Sequence, residues 1–114
     1  MQFLLLIYDQ ERRWTTLGEA EQSADYQAYG AFGKEFEKAI QNSNALQPTA
    51  SAKTVRVRNG KRMVTDGPFA ETMEQLGGYY LVETKNVDEA IAIAAKIPWA
   101  RCGSVEVRPI MTFS

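Results

Sequence analysis

Two carboxylates, Asp66 and Glu71, flank a Gly-Pro corner and a loop aromatic in Val64-Thr65-Asp66-Gly67-Pro68-Phe69-Ala70-Glu71. Carboxylates serve as general acid and base when their surroundings push their pKa values apart. Phe69 sets an apolar ring beside them, and a rigid loop is a common carrier of such groups. Arg101, in Trp99-Ala100-Arg101-Cys102-Gly103, offers a two-pronged donor for a ligand carboxylate or phosphate. Tyr8 and Tyr79 offer hydroxyls from strands. The candidate ligand-binding set is therefore Tyr8, Asp66, Phe69, Glu71, Tyr79 and Arg101, with Asp66 and Glu71 as the candidate catalytic pair. A plain structural reading stands beside each. Asp66 closes the turn, Glu71 starts a helix, Phe69 plugs the core, Arg101 neutralises Asp66 or a helix C-terminus, and the tyrosines are core with a satisfied hydroxyl.

Composition removes several chemistries. The chain has no histidine, which takes away the commonest acid–base group near neutral pH and the commonest metal ligand. With Cys102 as the single cysteine, no soft-metal site assembles in one chain, no internal disulfide forms, and a reducing, cytoplasmic setting is expected. No cofactor is expected. Cys102 also lacks the base that nucleophilic catalysis needs. A net charge of −1 with interspersed signs offers no global basic face for nucleic acid. The local cluster Arg56, Arg58, Lys61 and Arg62 reads as protection of an exposed strand edge. Met1 to Tyr8 is apolar but short, without a positive n-region, and reads as a buried strand rather than a signal peptide or membrane span.

These groups need elements to position them. At 114 residues, with 45% apolar and 24% charged residues, the chain reads as one globular domain, 1–114. Phe3 to Tyr8 is an unbroken apolar run, predicted as a strand buried on both faces. Asp9 to Leu17 reads as a polar connector. From Gly18 to about Asn42, Tyr26, Tyr29, Phe32, Phe36 and Ile40 recur at helical spacing, predicting an amphipathic helix with an aromatic stripe. Gly30 and Gly33 weaken that helix, either for close approach to the sheet or to leave room beside Tyr29. Ala45 to Pro48 is at best a short edge strand. Thr54 to Val64, around Asn59-Gly60, predicts a hairpin with a type I′ turn, with Val55, Val57 and Met63 as its apolar residues. Glu71 to Leu76 allows one helical turn, and Gly78 to Thr84 is a strand. Asn86, with Glu89 three residues on, caps a helix carrying Val87, Ala90, Ile91, Ala94 and Ala95, which Pro98 stops. Ser104 to Ile110 is the last strand, where Glu106 and Arg108 form an interface or cross-strand pair.

The order is βαββαβ with an inserted hairpin, which predicts an α+β fold, a ferredoxin-like antiparallel sheet with both helices on one face. The other face, with Tyr79, Leu81, Val105, Val107 and the first strand, is too apolar for water. A homodimer through the sheet faces is expected.

Thr65-Asp66-Gly67-Pro68-Phe69-Ala70-Glu71, Glu74-Gln75-Leu76-Gly77-Gly78-Tyr79-Tyr80 and Gly103-Ser104-Val105-Glu106-Val107-Arg108-Pro109 resemble the YCII-related family, and in particular its DGPF-domain branch. The resemblance runs from the first strand to Pro109. It implies a dimeric α+β barrel of ferredoxin-like units in a bacterial protein, and, through genomic setting, a sigma-factor link. It names no reaction. Enzymatic relatives use a His–Asp pair without cofactor, as in dehydrochlorination of chlorinated hydroxyquinols. Here there is no histidine, and Ile97-Pro98 stands where those relatives have Asp-Pro, so that dyad does not carry over. Two functions are expected: a dimeric small-molecule-binding or regulatory protein, or a cofactor-free enzyme of lyase or dehydrochlorinase type with Asp66 or Glu71 as base.

Overall fold

A computed structural model describes residues 1–113. β1 (Gln2–Asp9) runs through a four-stranded sheet of order β2-β5-β1-β6, every neighbouring pair antiparallel. Its partners are β5 (Gln75–Glu83), β6 (Ser104–Pro109) and, beyond β5, β2 (Ile40–Ala45). Three helices, α1 (Glu11–Thr15), α2 (Glu19–Glu35) and α3 (Val87–Ala94), complete this α+β chain. A separate two-stranded ribbon joins β3 (Lys53–Arg58) to β4 (Lys61–Asp66). Among the described residues no helix is long and apolar enough to cross a membrane.

Residue alternation explains where the core sits. Phe3, Leu5 and Ile7 point to one face of β1 and are buried with Val82, Phe32 of α2, and Ala90, Ile93 and Ala94 of α3. Phe3 and Leu5 have no exposed surface, so each contributes about 2–3 kcal/mol of apolar burial. Leu4, Leu6 and Tyr8, on the other face, are only half-buried. The expectation of a strand buried on both faces is thus corrected: helices cover one face, and among the described residues no helix covers the other. Val105 and Val107 pack against the helix-side core, not on the open face as their sequence suggested.

The connection α2–β2 also departs from expectation. α2 ends at Glu35, a turn bonds Ala39 N–H to Phe36 O, and Ile40, read from sequence as helical, opens the edge strand β2. Gln41-Asn42-Ser43-Asn44 has little strand propensity of its own. Backbone pairing with β5, Ser43 opposite Tyr80 and Asn44 opposite Tyr79, imposes the conformation. The aromatic stripe holds only in part, since Phe32 is buried and Tyr29 and Phe36 half-buried, but Tyr26 is 83% exposed. Side chains added at Gly30 or Gly33 would meet open space, so close approach to the sheet is not the reason for either glycine. Glu11 to Thr15, expected to be a connector, forms α1. Glu71 to Glu74 stays irregular, and β5 starts at Gln75.

Other local readings hold. Asn59 and Gly60 take φ of 52° and 74°, as a type I′ turn requires, and Arg58 pairs with Lys61. Asn86 Oδ1 accepts Glu89 N–H at 2.9 Å and caps α3. That helix ends at Ala94, before Pro98, which opens a short 3₁₀ turn, Pro98–Arg101. In the ribbon, Val55 and Val57 share a face with Val64, while Met63 lies opposite Arg56 on the other face. The apolar trio therefore contains Val64, not Met63, because strand pairing puts only matched partners on one side.

Candidate functional site

Trp99, in the 3₁₀ turn that follows α3, is the hub of an aromatic and ionic cluster. Its ring stacks on Trp14 of α1 with centroids 4.8 Å apart, and Tyr29 of α2 meets it edge-on at 6.0 Å. Its Nε1–H donates to Asp25 Oδ2 at 3.0 Å. The guanidinium of Arg13 lies 5.1 Å from its ring centroid. Arg13 Nε also donates to Asp9 Oδ2 at 2.5 Å, and Gln10 N–H donates to Asp9 Oδ1 at 2.7 Å. Asp9 is 2% exposed, a carboxylate buried at the end of the central strand and held by these two donors. Burial opposes the Arg13 charge, but the Asp9 hydrogen bond and charge outweigh it, so the Arg13 pKa lies above its ordinary value.

Glycines let this cluster approach the sheet. A Cβ on Gly77 would sit 3.1 Å from the Trp99 ring and 3.5 Å from that of Trp14. A Cβ on Gly103 would sit 2.0 Å from Tyr8 O and 3.0 Å from Asp9 Cβ, so only glycine lets the turn pass β1 there.

Beside the Trp99 cluster opens a cavity of about 460 Å³. Gly77 and Gly78 of β5 contribute to its lining along one side with Tyr79, whose place in the register beside Leu6 turns its ring to the open face, and Tyr29, Tyr80 and Trp99 supply aromatic surface. Ser43 and Asn44 of β2 also border it, and on the open face of the sheet Asn44 Nδ2 donates to the Tyr79 hydroxyl at 2.7 Å. A second concavity, lined by Lys34 of α2 and Glu37 just beyond it among others, shares Tyr29, Ser43 and Tyr80 with the first. Burial raises the pKa of Tyr29 and of Tyr80, for Tyr29 against a smaller opposing effect of the Trp99 backbone. Both phenols stay neutral over the physiological range. The residues lining the first cavity offer flat apolar contact plus a few amide and hydroxyl groups, and no carboxylate is among them. Among the described residues no cluster of three or more His, Cys, Asp or Glu could hold a metal ion.

The residues singled out from sequence fall in different places. Tyr79 lines the cavity. Tyr8 is half-buried on the open face of β1, opposite Leu76 and Ser104. Asp66 ends β4 with its side chain 83% exposed and paired to Lys53, so it bonds neither its own turn nor Arg101. Phe69 is 81% exposed, outside the core, and Glu71 and Arg101 are also exposed. None of these four lines either cavity. The corner itself is well built: Gly67 takes φ of 91°, donates its N–H to Ala52 O at 2.7 Å, and accepts the Thr54 hydroxyl at 2.8 Å. Glu106 pairs with Arg108 on its own strand.

Asp9, Arg13, Trp14, Trp99 and Gly77 escaped the sequence reading as a site. The signals were present: an acid closing a buried strand, two tryptophans in connectors, and a Gly-Gly pair inside an aromatic strand, which marks close backbone approach.

A sheet with helices packed on one face and an aromatic cavity between α2 and the sheet edge defines a small α+β protein with a built concave site. The chain belongs to the YCII-related domain family, whose match covers residues 1–114. It is 46% identical over 70 residues to an uncharacterized protein of Rhizobium meliloti (strain 1021), an alignment spanning 60% of this chain and 56% of that relative's length. Its fold is similar to that of 5-chloro-2-hydroxyhydroquinone dehydrochlorinase from Burkholderia phenoliruptrix AC1100, solved in complex with 2,5-dihydroxybenzoquinone. That similarity has a TM-score of 0.57 at 15% identity and covers 97% of this chain and 94% of the other.

Proposed function

We propose that this protein is a dimeric, small-molecule-binding member of the DGPF branch that takes a planar aromatic ligand in the cavity bordered by Tyr29, Tyr80 and Trp99. The observation that carries this reading is the lining of the cavity, in which Tyr29, Tyr80 and Trp99 stand beside two strand glycines in about 460 Å³. Such a volume lies within the range of sites for small organic ligands, and flat walls favour a flat guest. Hydroxyl or carbonyl groups on that guest would meet Ser43 and the neutral phenols of Tyr29 and Tyr80. The strand order β2-β5-β1-β6 with helices on one face supports a ferredoxin-like unit. The half-buried Leu4, Leu6 and Leu81 support pairing of two units through their open faces, as in a dimeric α+β barrel. A regulatory role in a bacterial cytoplasm, linked to a sigma factor, goes with this reading.

Isothermal titration with 2,5-dihydroxybenzoquinone, hydroquinone and 4-hydroxybenzoate tests it. Saturable binding that Trp99→Ala reduces at least about tenfold is expected. Binding that is indifferent to Trp99 and Gly77 substitutions would remove the cavity as the site. Asp66→Ala in the same titration reads the corner directly, since a loss of binding would bring the Asp66 loop to the ligand.

A second reading is a cofactor-free enzyme on a small hydroxylated or chlorinated aromatic, with Asp66 or Glu71 as base. It draws on the dehydrochlorinase named above, whose fold this chain resembles. Chloride release from chlorinated hydroquinols, lost in Asp66→Asn or Glu71→Gln, is its test. Turnover unchanged in both variants would rule out those bases.

A further inference from the structure

The two concavities adjoin in the gap between α2 and the edge strand β2, with Tyr29, Ser43 and Tyr80 common to both. Ser43 stands opposite Tyr80 and Ile40 opposite Val82, so this gap lies on the helix side of the sheet. The first concavity ends on Trp99 and is mainly aromatic. The second, of about 510 Å³, reaches farther along α2 and contains the charges, Lys34 and Glu37. From Tyr29 to Gly33 along the helix is one turn, about 6 Å. Lys34 and Glu37 are exposed, and among the described residues neither is in an ion pair, although Glu35 beside them pairs with Lys96. Gly33 forms the wall between the shared residues and these charges. A Cβ there would meet nothing within 4 Å, so packing does not require glycine, which is unfavourable inside a helix. What the missing side chain leaves is open space in the second concavity.

We propose that the second concavity is a subsite for the charged end of an aromatic α-amino acid, whose ring occupies the first cavity while its carboxylate meets Lys34 and its ammonium meets Glu37. The pair of signs selects this class. An aromatic carboxylate would satisfy Lys34 and bring its charge towards Glu37. An aromatic amine would do the reverse, and a neutral ring would use neither group. A zwitterion meets both. A ring joined by a short carbon chain to two opposite charges also matches an aromatic cavity with a charged one beside it. This inference rests on the small-molecule-binding reading above and names the ligand class of that site.

Isothermal titration compares L-phenylalanine with 3-phenylpropionate, phenethylamine and benzyl alcohol, which lack the ammonium, the carboxylate or both. L-Phenylalanine should bind about tenfold more tightly than benzyl alcohol, and added salt should shrink the difference, because both protein charges are exposed. Lys34→Gln should weaken L-phenylalanine and 3-phenylpropionate about three- to fivefold without weakening phenethylamine. Glu37→Gln should weaken L-phenylalanine and phenethylamine without weakening 3-phenylpropionate. Gly33→Leu should fill the concavity and remove the advantage of L-phenylalanine. Its thermal midpoint should stay at or above that of the wild type, since the new side chain meets open space on a helix, which separates lost binding from lost folding. Hydroquinone binding that depends on Trp99, with all four phenyl compounds bound equally, overturns the amino-acid subsite and leaves the aromatic cavity. A preference for L-phenylalanine that survives Lys34→Gln/Glu37→Gln also overturns the subsite. No binding of any of these compounds, hydroquinone included, overturns both readings.

Discussion

The side chains of Asp9 and Arg13 meet at 2.5 Å one helical turn apart, at the point where the central strand gives way to α1. The contact is asymmetric. Asp9 is 2% exposed, whereas the Arg13 side chain is 31% exposed and lies against the Trp99 ring. Burial of the acid makes the arginine necessary, and the arginine in turn braces the tryptophan that borders the cavity.

Removing either partner should therefore have unequal effects. Arg13→Ala leaves a buried carboxylate without its countercharge, at a cost of about 3 kcal/mol or more. Asp9→Asn leaves a guanidinium that can swing to water, at a smaller cost. Urea unfolding of both single variants and the double variant measures the difference. Equal losses would mean that Asp9 reaches water in solution.

Gly77 borders the cavity closely enough that added bulk should act on the Trp14–Trp99 stack first. Gly77→Val is expected to cost about 1–3 kcal/mol by overpacking and to change the tryptophan emission spectrum. Folded, spectrally native protein with an unchanged urea midpoint would show that the two indoles are not held against β5.

Gly103→Ala should be worse, at or above the top of the same ~1–3 kcal/mol range, because the added methyl meets backbone rather than a movable ring. Thermal unfolding compares the two variants directly. A smaller shift for Gly103→Ala than for Gly77→Val would contradict the close pass of the turn over β1.

Alkaline pH offers a separate readout. Burial raises the folded-state pKa of Tyr29 above that of the unfolded chain, so the folded state favours the neutral phenol. Its contribution is fully present below the unfolded value near ~10 and is lost as pH rises through the folded one. Stability of the wild type should thus begin to fall above about pH 10, and Tyr29→Phe should flatten that fall. Identical curves for the two proteins would show that Tyr29 is solvated. Tyr80, raised by burial alone, adds to the same limb.

Local signals carried much of the fold. Asn59-Gly60 places both turn residues at positive φ, Asn86 caps α3 by accepting the Glu89 N–H, and the apolar run of Phe3 to Ile7 has to lie in the sheet's interior. Each follows from backbone sterics, capping or hydration within a few residues, and needs no knowledge of the rest of the chain. The edge strand β2 was not legible in this way. Its Asn and Ser residues have no strand preference, and only pairing with Tyr79 and Tyr80 of β5 fixes them.

The candidate site divides along the same line. Residue types alone excluded a histidine dyad and pointed to acids, an arginine and tyrosines, and of those Tyr79 lines the cavity. The gathering of Asp9, Arg13, Trp14, Tyr29, Gly77 and Trp99 depended on α1, α2, β5 and the turn after α3 meeting at one end of the sheet. Sequence determined the short-range structure, because capping and turn geometry act between neighbours. The tertiary fold decided which aromatic ring faces which glycine, because such contacts span up to 85 positions, Trp14 to Trp99, and arise only when strand pairing closes that distance.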